Sequence, residues 1–313
     1  MKLLLSKPRG FCAGVERAIE TVEKALTIWG APIYVKHEIV HNKHVVDDLK
    51  AKGAIFIEEI KDVPVGARLI YSAHGVSPAV REEARDRQLI EIDATCGLVT
   101  RVHSAVKRFA NQGYQIILIG HHNHVEIIGT AGEAPEVTTI VESVEDVAKL
   151  TFDKDEKLFY ITQTTLSLDD VKEITEALIN KYPSIITLPS SSICYATTNR
   201  QMALREITGE TDLVLVVGDR QSSNSNRLHE VASKRGIASY LINDETEIDP
   251  KWFIGVKTIG LTAGASTPEH IVQKCIQKLV ELGVSDVEDV VFTTEDVVFQ
   301  LPKPIVQAFK VNA

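Results

Sequence analysis

Short apolar runs alternate with amphipathic segments along the whole chain. Leu3-Leu4-Leu5 reads as a strand, and Val15, Ala18, Ile19, Val22, Ala25 and Leu26 after it share one face at the helical period. The succession recurs twice. Leu89-Ile90-Glu91-Ile92 precedes a helix pattern carrying Val99, Val102, Val106 and Phe109. Ile185-Ile186-Thr187-Leu188 precedes a helix over 198–207. A cysteine stands at each strand-to-helix turn: Cys12, Cys96 and Cys194.

Further apolar runs keep register with these cysteines. A second run begins at Ile33, Ile116 and Leu213, at nearly constant distance from Cys12, Cys96 and Cys194. Third runs begin at Ala54, Thr138 and Ser239, and fourth runs at Leu69, Leu158 and Thr258. Strands alternating with helices predict parallel sheets. The chain therefore reads as one α/β unit of about four strands used three times. The expected units are 13–97, 98–191, and 1–12 with 192–280. Residues 281–313 fall outside the repeat and read as a tail over a domain or a site rim, with Val290-Val291-Phe292 and Val297-Val298-Phe299 set among acidic residues.

Composition narrows the function. The 313 residues are 44% hydrophobic and 25% charged, an ordinary soluble composition. A net charge of −9 argues against nucleic acid or anionic membrane as partners. No apolar run approaches the roughly 18 residues of a membrane span. Met1-Lys2-Leu3-Leu4-Leu5-Ser6 is too short for a signal peptide, so the cytoplasm is the expected location. Thiols stay reduced there, and widely separated cysteines read as metal ligands or catalysts.

Cys12, Cys96 and Cys194 sit where backbone N–H groups and a helix dipole stabilise a thiolate. They lack the local spacings of zinc ribbons and bacterial ferredoxins. Three thiolates can hold a [4Fe–4S] cluster and leave one iron open, as Lewis acid and electron source. Zinc held by three cysteines and a loop histidine is the alternative. Cys275, on an apolar helix face, reads as core.

Ligands of open parallel sheets bind beyond the carboxyl ends of the strands, and the loops there are polar. They carry His37 and His41, then His121 to Glu126, then Gln221 to Asn226. After the fourth runs come Ser72 to Gly75, Thr162 to Thr165, and Thr262 to Ser266. A pseudo-threefold would bring these loops and the three cysteines to one axis. His41, His74, His124, Ser222, Ser223, Asn224 and Ser266 then form a donor cradle suited to a diphosphate. Glu126 in a closed pocket would donate a proton, with Thr164 and Thr165 to relay it. No phosphate-binding GxxxxGK[ST] and no helix-opening GxGxxG is present. An iron–sulfur oxidoreductase, a non-catalytic iron–sulfur sensor or binding protein, and a zinc hydrolase or lyase on a phosphorylated metabolite all accommodate these features.

Longer motifs favour the first. Arg9-Gly10-Phe11-Cys12-Ala13-Gly14-Val15, Asp93-Ala94-Thr95-Cys96, His124-x-Glu126, Thr162-Gln163-Thr164-Thr165-Leu166-Ser167, Ile193 to Gln201 and Ser222 to Leu228 resemble the 4-hydroxy-3-methylbut-2-enyl diphosphate reductase family. The resemblance covers the whole chain. It implies the last step of the non-mevalonate isoprenoid pathway, a reductive dehydroxylation giving isopentenyl and dimethylallyl diphosphates. It implies a trefoil of three α/β domains around one [4Fe–4S] cluster held by Cys12, Cys96 and Cys194, with one open iron. By the same resemblance His41, His74, His124, Thr164, Ser222, Ser223, Asn224 and Ser266 bind the substrate. Glu126 donates the proton with Thr164 beside it. Ferredoxin or flavodoxin would supply the electrons. Gly97 and Val125 stand where the family usually has proline, which loosens the backbone beside Cys96 and Glu126.

Overall fold

The structure, a computed structural model, describes residues 1–153 and 155–312. In chain order the first elements are β1 (Lys2–Lys7), α1 (Ala13–Trp29), β2 (Ile33–Lys36), α2 (Lys43–Ala51), β3 (Ala54–Ile57), β4 (Arg68–Tyr71), α3 (Pro78–Asp86) and β5 (Ile90–Asp93). Next come α4 (Gly97–Asn111), β6 (Gln115–Ile119), α5 (Val125–Ala131), β7 (Thr138–Val141), α6 (Val144–Lys149), β8 (Leu158–Thr162) and α7 (Leu168–Lys181). Then follow α8 (Tyr195–Thr208), β9 (Leu213–Val217), α9 (Ser223–Ser233), β10 (Ala238–Ile242), β11 (Thr258–Ala263), α10 (Glu269–Glu281), β12 (Asp286–Val291) and α11 (Lys303–Asn312). The chain divides into two compact units. One comprises Met1–Val15, His41–Val45 and Tyr195–Val298, the other Glu16–Val40, Val46–Cys194 and Phe299–Ala313.

The first unit holds a parallel sheet in the order β10-β9-β11-β1-β12. β9, Leu-Val-Leu-Val-Val, is buried at every position, as a parallel strand covered on both faces must be. Leu213, Leu215 and Val217 join Leu3, Leu5 and Leu261 beneath Ile271, Val272 and Leu279 of α10. Val214, Val216 and Leu4 face the other way, onto Leu204 and Ile207 of α8 and Leu228 of α9. Cys275 lies in the first of these cores, as expected. Burial, with Glu245 and Asp244 nearby, pushes its thiol up to about 12.

Two expectations change. Val290 and Val291 were expected in a tail, yet they end β12, an edge strand paired along the whole of β1. Its acidic residues, which mask the strand pattern, face solvent, and Glu288 and Asp289 each lie 2.7 Å from Lys2 and Lys7 respectively. Such charges are what an exposed edge needs to avoid pairing with other chains. The second change is at Ile185 to Leu188, expected as a strand, where only one parallel bridge forms, Phe159 with Ile186. Thr187 Oγ1 donates to the Tyr160 carbonyl at 2.9 Å, the acceptor that the next ladder bond would use, so a side chain bonds where the backbone ladder stops.

The second unit holds two parallel sheets, β3-β2-β4-β5 and β7-β6-β8. β6 alternates: Ile117 and Ile119 pack with Ile174 and Leu178 of α7, while Ile116 and Leu118 pack with Val102 and Val106 of α4. In all three sheets the second-run strand neighbours the fourth-run strand: β9 beside β11, β2 beside β4, β6 beside β8. The chain leaves these neighbours toward opposite edges of the sheet, so each sheet has a switch point there, where a crevice opens beyond the carboxyl ends. The polar loops singled out in the sequence leave from those strands. Among the described residues no helix is long and apolar enough to cross a membrane.

Candidate functional site

Each cysteine leaves a strand, or the single Ile186 bridge, that lies beside a fourth-run strand. Parallel pairing continues into the loops, and the same bond forms three times. The Cys12 N–H donates to the Ala265 carbonyl at 3.2 Å, Cys96 N–H to Ala73 at 3.0 Å, and Cys194 N–H to Thr164 at 3.0 Å. Ala265, Ala73 and Thr164 hold the same place, just beyond β11, β4 and β8. The sequence repeat thus returns as a repeated hydrogen bond. Cys12, Cys96 and Cys194 are half-buried at the starts of α1, α4 and α8, where a helix dipole favours an anion. Among the described residues no three His, Cys, Asp or Glu side chains form a group with metal-site geometry. What the cysteines bring is donor chemistry at three helix starts.

In the first unit the switch point of its sheet gathers Ser222, Ser223, Asn224, Ser266 and His41. Thr267 Oγ1 donates to the Val217 carbonyl at 2.9 Å, tying the loop after β11 to the end of β9. Ser266 Oγ donates to the His41 carbonyl at 2.9 Å. Ser222 caps α9 by accepting the Ser225 N–H at 3.3 Å. A Cβ on either Gly218 or Gly264 would overlap Ser225 Oγ, so both strand ends must be glycine for α9 to begin this close. Asn224, 3% exposed, has neither its amide oxygen nor its amide nitrogen hydrogen-bonded. A buried amide without partners costs about 1–3 kcal/mol. Polarity left unpaired at a helix start fits an anionic ligand that would complete it.

In the second unit a buried carboxyl meets the loop after β8. Glu126 is 2% exposed. The Thr164 N–H donates to its Oε1 at 2.6 Å, and the Thr164 hydroxyl to its Oε2 at 2.8 Å. Thr164 thus touches the acid through its N–H and hydroxyl, and the Cys194 backbone through its carbonyl. Thr165, expected to share the relay, accepts from Gln163 Nε2 at 3.0 Å. Gln163 Oε1 in turn accepts the His121 N–H, locking the loops after β6 and β8 together. His124 caps α5 by accepting the Glu126 N–H on Nδ1 at 3.2 Å, which leaves Nε2 to carry the ring proton. The His74 ring stands 6.0 Å from that of His124, edge to face, and Ser72 Oγ lies 3.3 Å from its Nδ1.

Arginines supporting these loops were not singled out in the sequence. Arg200, fully buried, reaches the Gly10 and Phe11 carbonyls just before Cys12. Gly10 has φ 70°, a conformation suited to glycine. Arg17 reaches the Asp93 and Thr95 carbonyls just before Cys96. Burial draws the Arg17 guanidinium down, against Asp93 and Cys96, which draw it up. Burial likewise raises Asp93, but hydrogen bonds from Thr95 and the charge of Arg81 outweigh it and hold the carboxyl below its usual range. A signal was present: each arginine follows a cysteine at nearly the same spacing.

Gly97 and Val125 share one structural position. Each is the first residue of its helix, after Cys96 and His124 as the capping residues. Proline suits that position because its missing N–H would have no helical partner and its φ is preset. Neither departure therefore removes a hydrogen bond. At Gly97 the ring of Phe299 occupies the space a side chain would take, 3.1 Å from where a Cβ would lie.

The sequence profile described as LytB protein matches residues 3–280. The 4-hydroxy-3-methylbut-2-enyl diphosphate reductase of Protochlamydia amoebophila (strain UWE25) is 83% identical over 308 residues, covering 98% of both chains. The protein of that name from Chlamydia abortus (strain DSM 27085 / S26/3) is 63% identical over 306 residues, covering 97% of this chain and 99% of the other. The solved structure of the E-1-hydroxy-2-methyl-but-2-enyl-4-diphosphate reductase from Plasmodium falciparum superposes with a TM-score of 0.97 at 49% identity, covering 100% of this chain and 98% of that one. Profile, sequence and fold agree, and this chain belongs to the LytB protein family.

Proposed function

We propose that this chain is an oxidoreductase that removes the hydroxyl of (E)-4-hydroxy-3-methylbut-2-enyl diphosphate as water, giving isopentenyl and dimethylallyl diphosphates. The reaction consumes two electrons and two protons: the carbon–oxygen bond breaks and one carbon–hydrogen bond forms. The observation that carries this reading is Thr164, which joins a buried acid, Glu126, to the backbone of Cys194. The relatives named as that reductase support it.

The donor set suits an iron–sulfur centre, since three half-buried thiols at helix starts are soft, ionisable ligands. A [4Fe–4S] cluster on Cys12, Cys96 and Cys194, with one iron free of protein ligands, would supply electrons and Lewis acidity. The remaining work falls to the chain. Glu126 delivers the proton that turns hydroxide, a poor leaving group, into water. Thr164 holds that carboxyl in one orientation. His124 and His74 donate from the same unit, and His41, Ser222, Ser223, Asn224 and Ser266 grip the diphosphate. The three α/β units remain 13–97, 98–191, and 1–12 with 192–280 in this reading. A ferredoxin or flavodoxin in the cytoplasm is the electron source.

Anaerobically purified protein should be brown, should reduce the allylic diphosphate with a low-potential donor, and should change its spectrum when that substrate is added. Active, colourless protein loaded with zinc would overturn the reading. Asn224→Ala should raise KM by about 10- to 100-fold with a much smaller change in kcat, because a charge-assisted hydrogen bond is worth about 1.5–3 kcal/mol. Its melting temperature should not fall, since that amide has no partner to lose. Steady-state kinetics and a thermal melt check both.

A further inference from the structure

Three arginines grip the backbone just ahead of the three cysteines, and their order is cyclic. Arg17 lies in the second turn of α1, the helix that follows Cys12. It donates to the Thr95 carbonyl at 2.9 Å and to Asp93 at 3.3 Å, ahead of Cys96. Arg101 lies in the second turn of α4, which follows Cys96. It donates to the Ser190 carbonyl at 3.1 Å, the Ser190 hydroxyl at 2.8 Å and the Ser191 carbonyl at 2.9 Å, ahead of Cys194. Arg200 lies in the second turn of α8, which follows Cys194. It donates twice to the Gly10 carbonyl, at 3.1 and 2.8 Å, and to Phe11 at 3.1 Å, ahead of Cys12.

We propose that Arg17, Arg101 and Arg200 are positioning residues, each fixing the loop of the next cysteine in the cycle Cys12, Cys96, Cys194 and back to Cys12. The proposal rests on the function above only in what the thiols are positioned for. Three features argue against coincidence. Each contact joins segments far apart in sequence, with separations of 78, 89 and 190 residues for the principal bonds. Each arginine holds the loop of another cysteine, and Arg200 also donates within its own helix, to the Ala196 carbonyl at 3.0 Å. Arg17 and Arg200 reach their acceptors through two different nitrogens of the guanidinium, a planar fork that a lysine ammonium does not offer, while Arg101 reaches its acceptors through Nη2 alone. The cysteine N–H is already held by the loop beyond the fourth-run strand. The arginine holds the carbonyls on the other side, so the backbone bearing each thiol is pinned from both directions.

The clamps are graded. Arg200 is buried and also paired with Glu295 at 3.1 Å, Arg17 is half-buried, and Arg101 is exposed. Exposed charge-assisted bonds compete with water, so their loss should cost least.

The test uses full-length protein and iodoacetamide, with the labelling rate of each cysteine read by peptide mass spectrometry, in cluster-loaded and cluster-free samples. Arg17→Gln should raise labelling of Cys96 about tenfold in cluster-free protein, with Cys12 and Cys194 within about twofold. Arg101→Gln should raise Cys194 about threefold, and Arg200→Lys should raise Cys12. Arg17→Lys, which keeps the charge, should behave like Arg17→Gln. In loaded protein the same variants should release iron to a chelator faster and change the electron paramagnetic resonance lineshape, while Arg85→Gln should do neither. Uniform labelling, labelling of the cysteine that opens the arginine's own helix, or full rescue by lysine would overturn the proposal. Should Arg200→Lys not fold, Arg17→Gln and Arg101→Gln decide it. A wild-type chain that takes up no iron–sulfur cluster defeats the proposed function, while the cluster-free labelling still tests the clamps.

Discussion

Cys12→Ser, Cys96→Ser and Cys194→Ser should each lose most of the bound iron and reduce the allylic diphosphate no faster than background. Serine keeps nearly the shape of cysteine but exchanges a soft, readily ionised sulfur for a hard hydroxyl that stays protonated near neutral pH. The backbone should survive, because each cysteine is anchored through its backbone N–H, which serine keeps. Cys275→Ser is the contrasting case. Its side chain lies fully buried among Ile271, Val272 and Leu279, so a hydroxyl there would lack a partner and cost about 1–3 kcal/mol of stability. That variant should melt earlier yet keep its iron and its turnover per folded molecule. Iron and sulfide analysis, a thermal melt and an anaerobic assay separate the two outcomes. Full activity in all three serine variants of the first group would remove the cysteines from the mechanism.

The sequence and the structure agree where short-range pattern decides the outcome. β9 and β6 are legible because runs of five and four apolar residues suit a strand buried on both faces, and nothing distant is needed to say so. The place of each cysteine is legible for the same reason, as a strand period gives way to a helical one. Distant pairing escapes such reading. β12 alternates valine with acid and looks like a tail until its partner, β1, is known to lie at the other end of the chain. Ile185 to Leu188 forms a single bridge, and beside it the Thr187 side chain bonds the Tyr160 carbonyl, a contact no periodicity announces. In the site, residue types pointed to the histidines, the serines and Glu126, since each stands in a polar loop at a strand end. The partners did not follow from residue type. By residue type Thr164 and Thr165 are equal candidates and the family resemblance names Thr164; the turn of the loop is what gives Thr164 to Glu126 and sets Thr165 against Gln163. Arg17 and Arg101, on α1 and α4, were not singled out in the sequence. Their acceptors are backbone carbonyls, which leave no trace in the residues that own them.

Glu126→Gln should lower kcat by about 10²- to 10⁴-fold, the usual worth of a positioned general acid, with KM and iron content close to those of the native chain. The substitution fits its surroundings. The amide oxygen can keep the Thr164 N–H, and the amide nitrogen can donate to Thr164 Oγ1 once that hydroxyl turns to accept. Two hydrogen bonds are therefore exchanged for two, and a buried site at 2% exposure keeps its volume. What is lost is the acidic proton, which an amide does not deliver near neutral pH. Thr164→Val makes the complementary change. It leaves the carboxyl and its bond from the backbone N–H but removes the hydroxyl bond, so Glu126 keeps its proton and loses part of its aim. The expected loss in kcat is about tenfold, in line with the loss of one hydrogen bond. The ordering of the two variants carries the argument. If Glu126→Gln turned over like the native chain while Thr164→Val did not, the hydroxyl of Thr164 would be the proton's route and the carboxylate only its support.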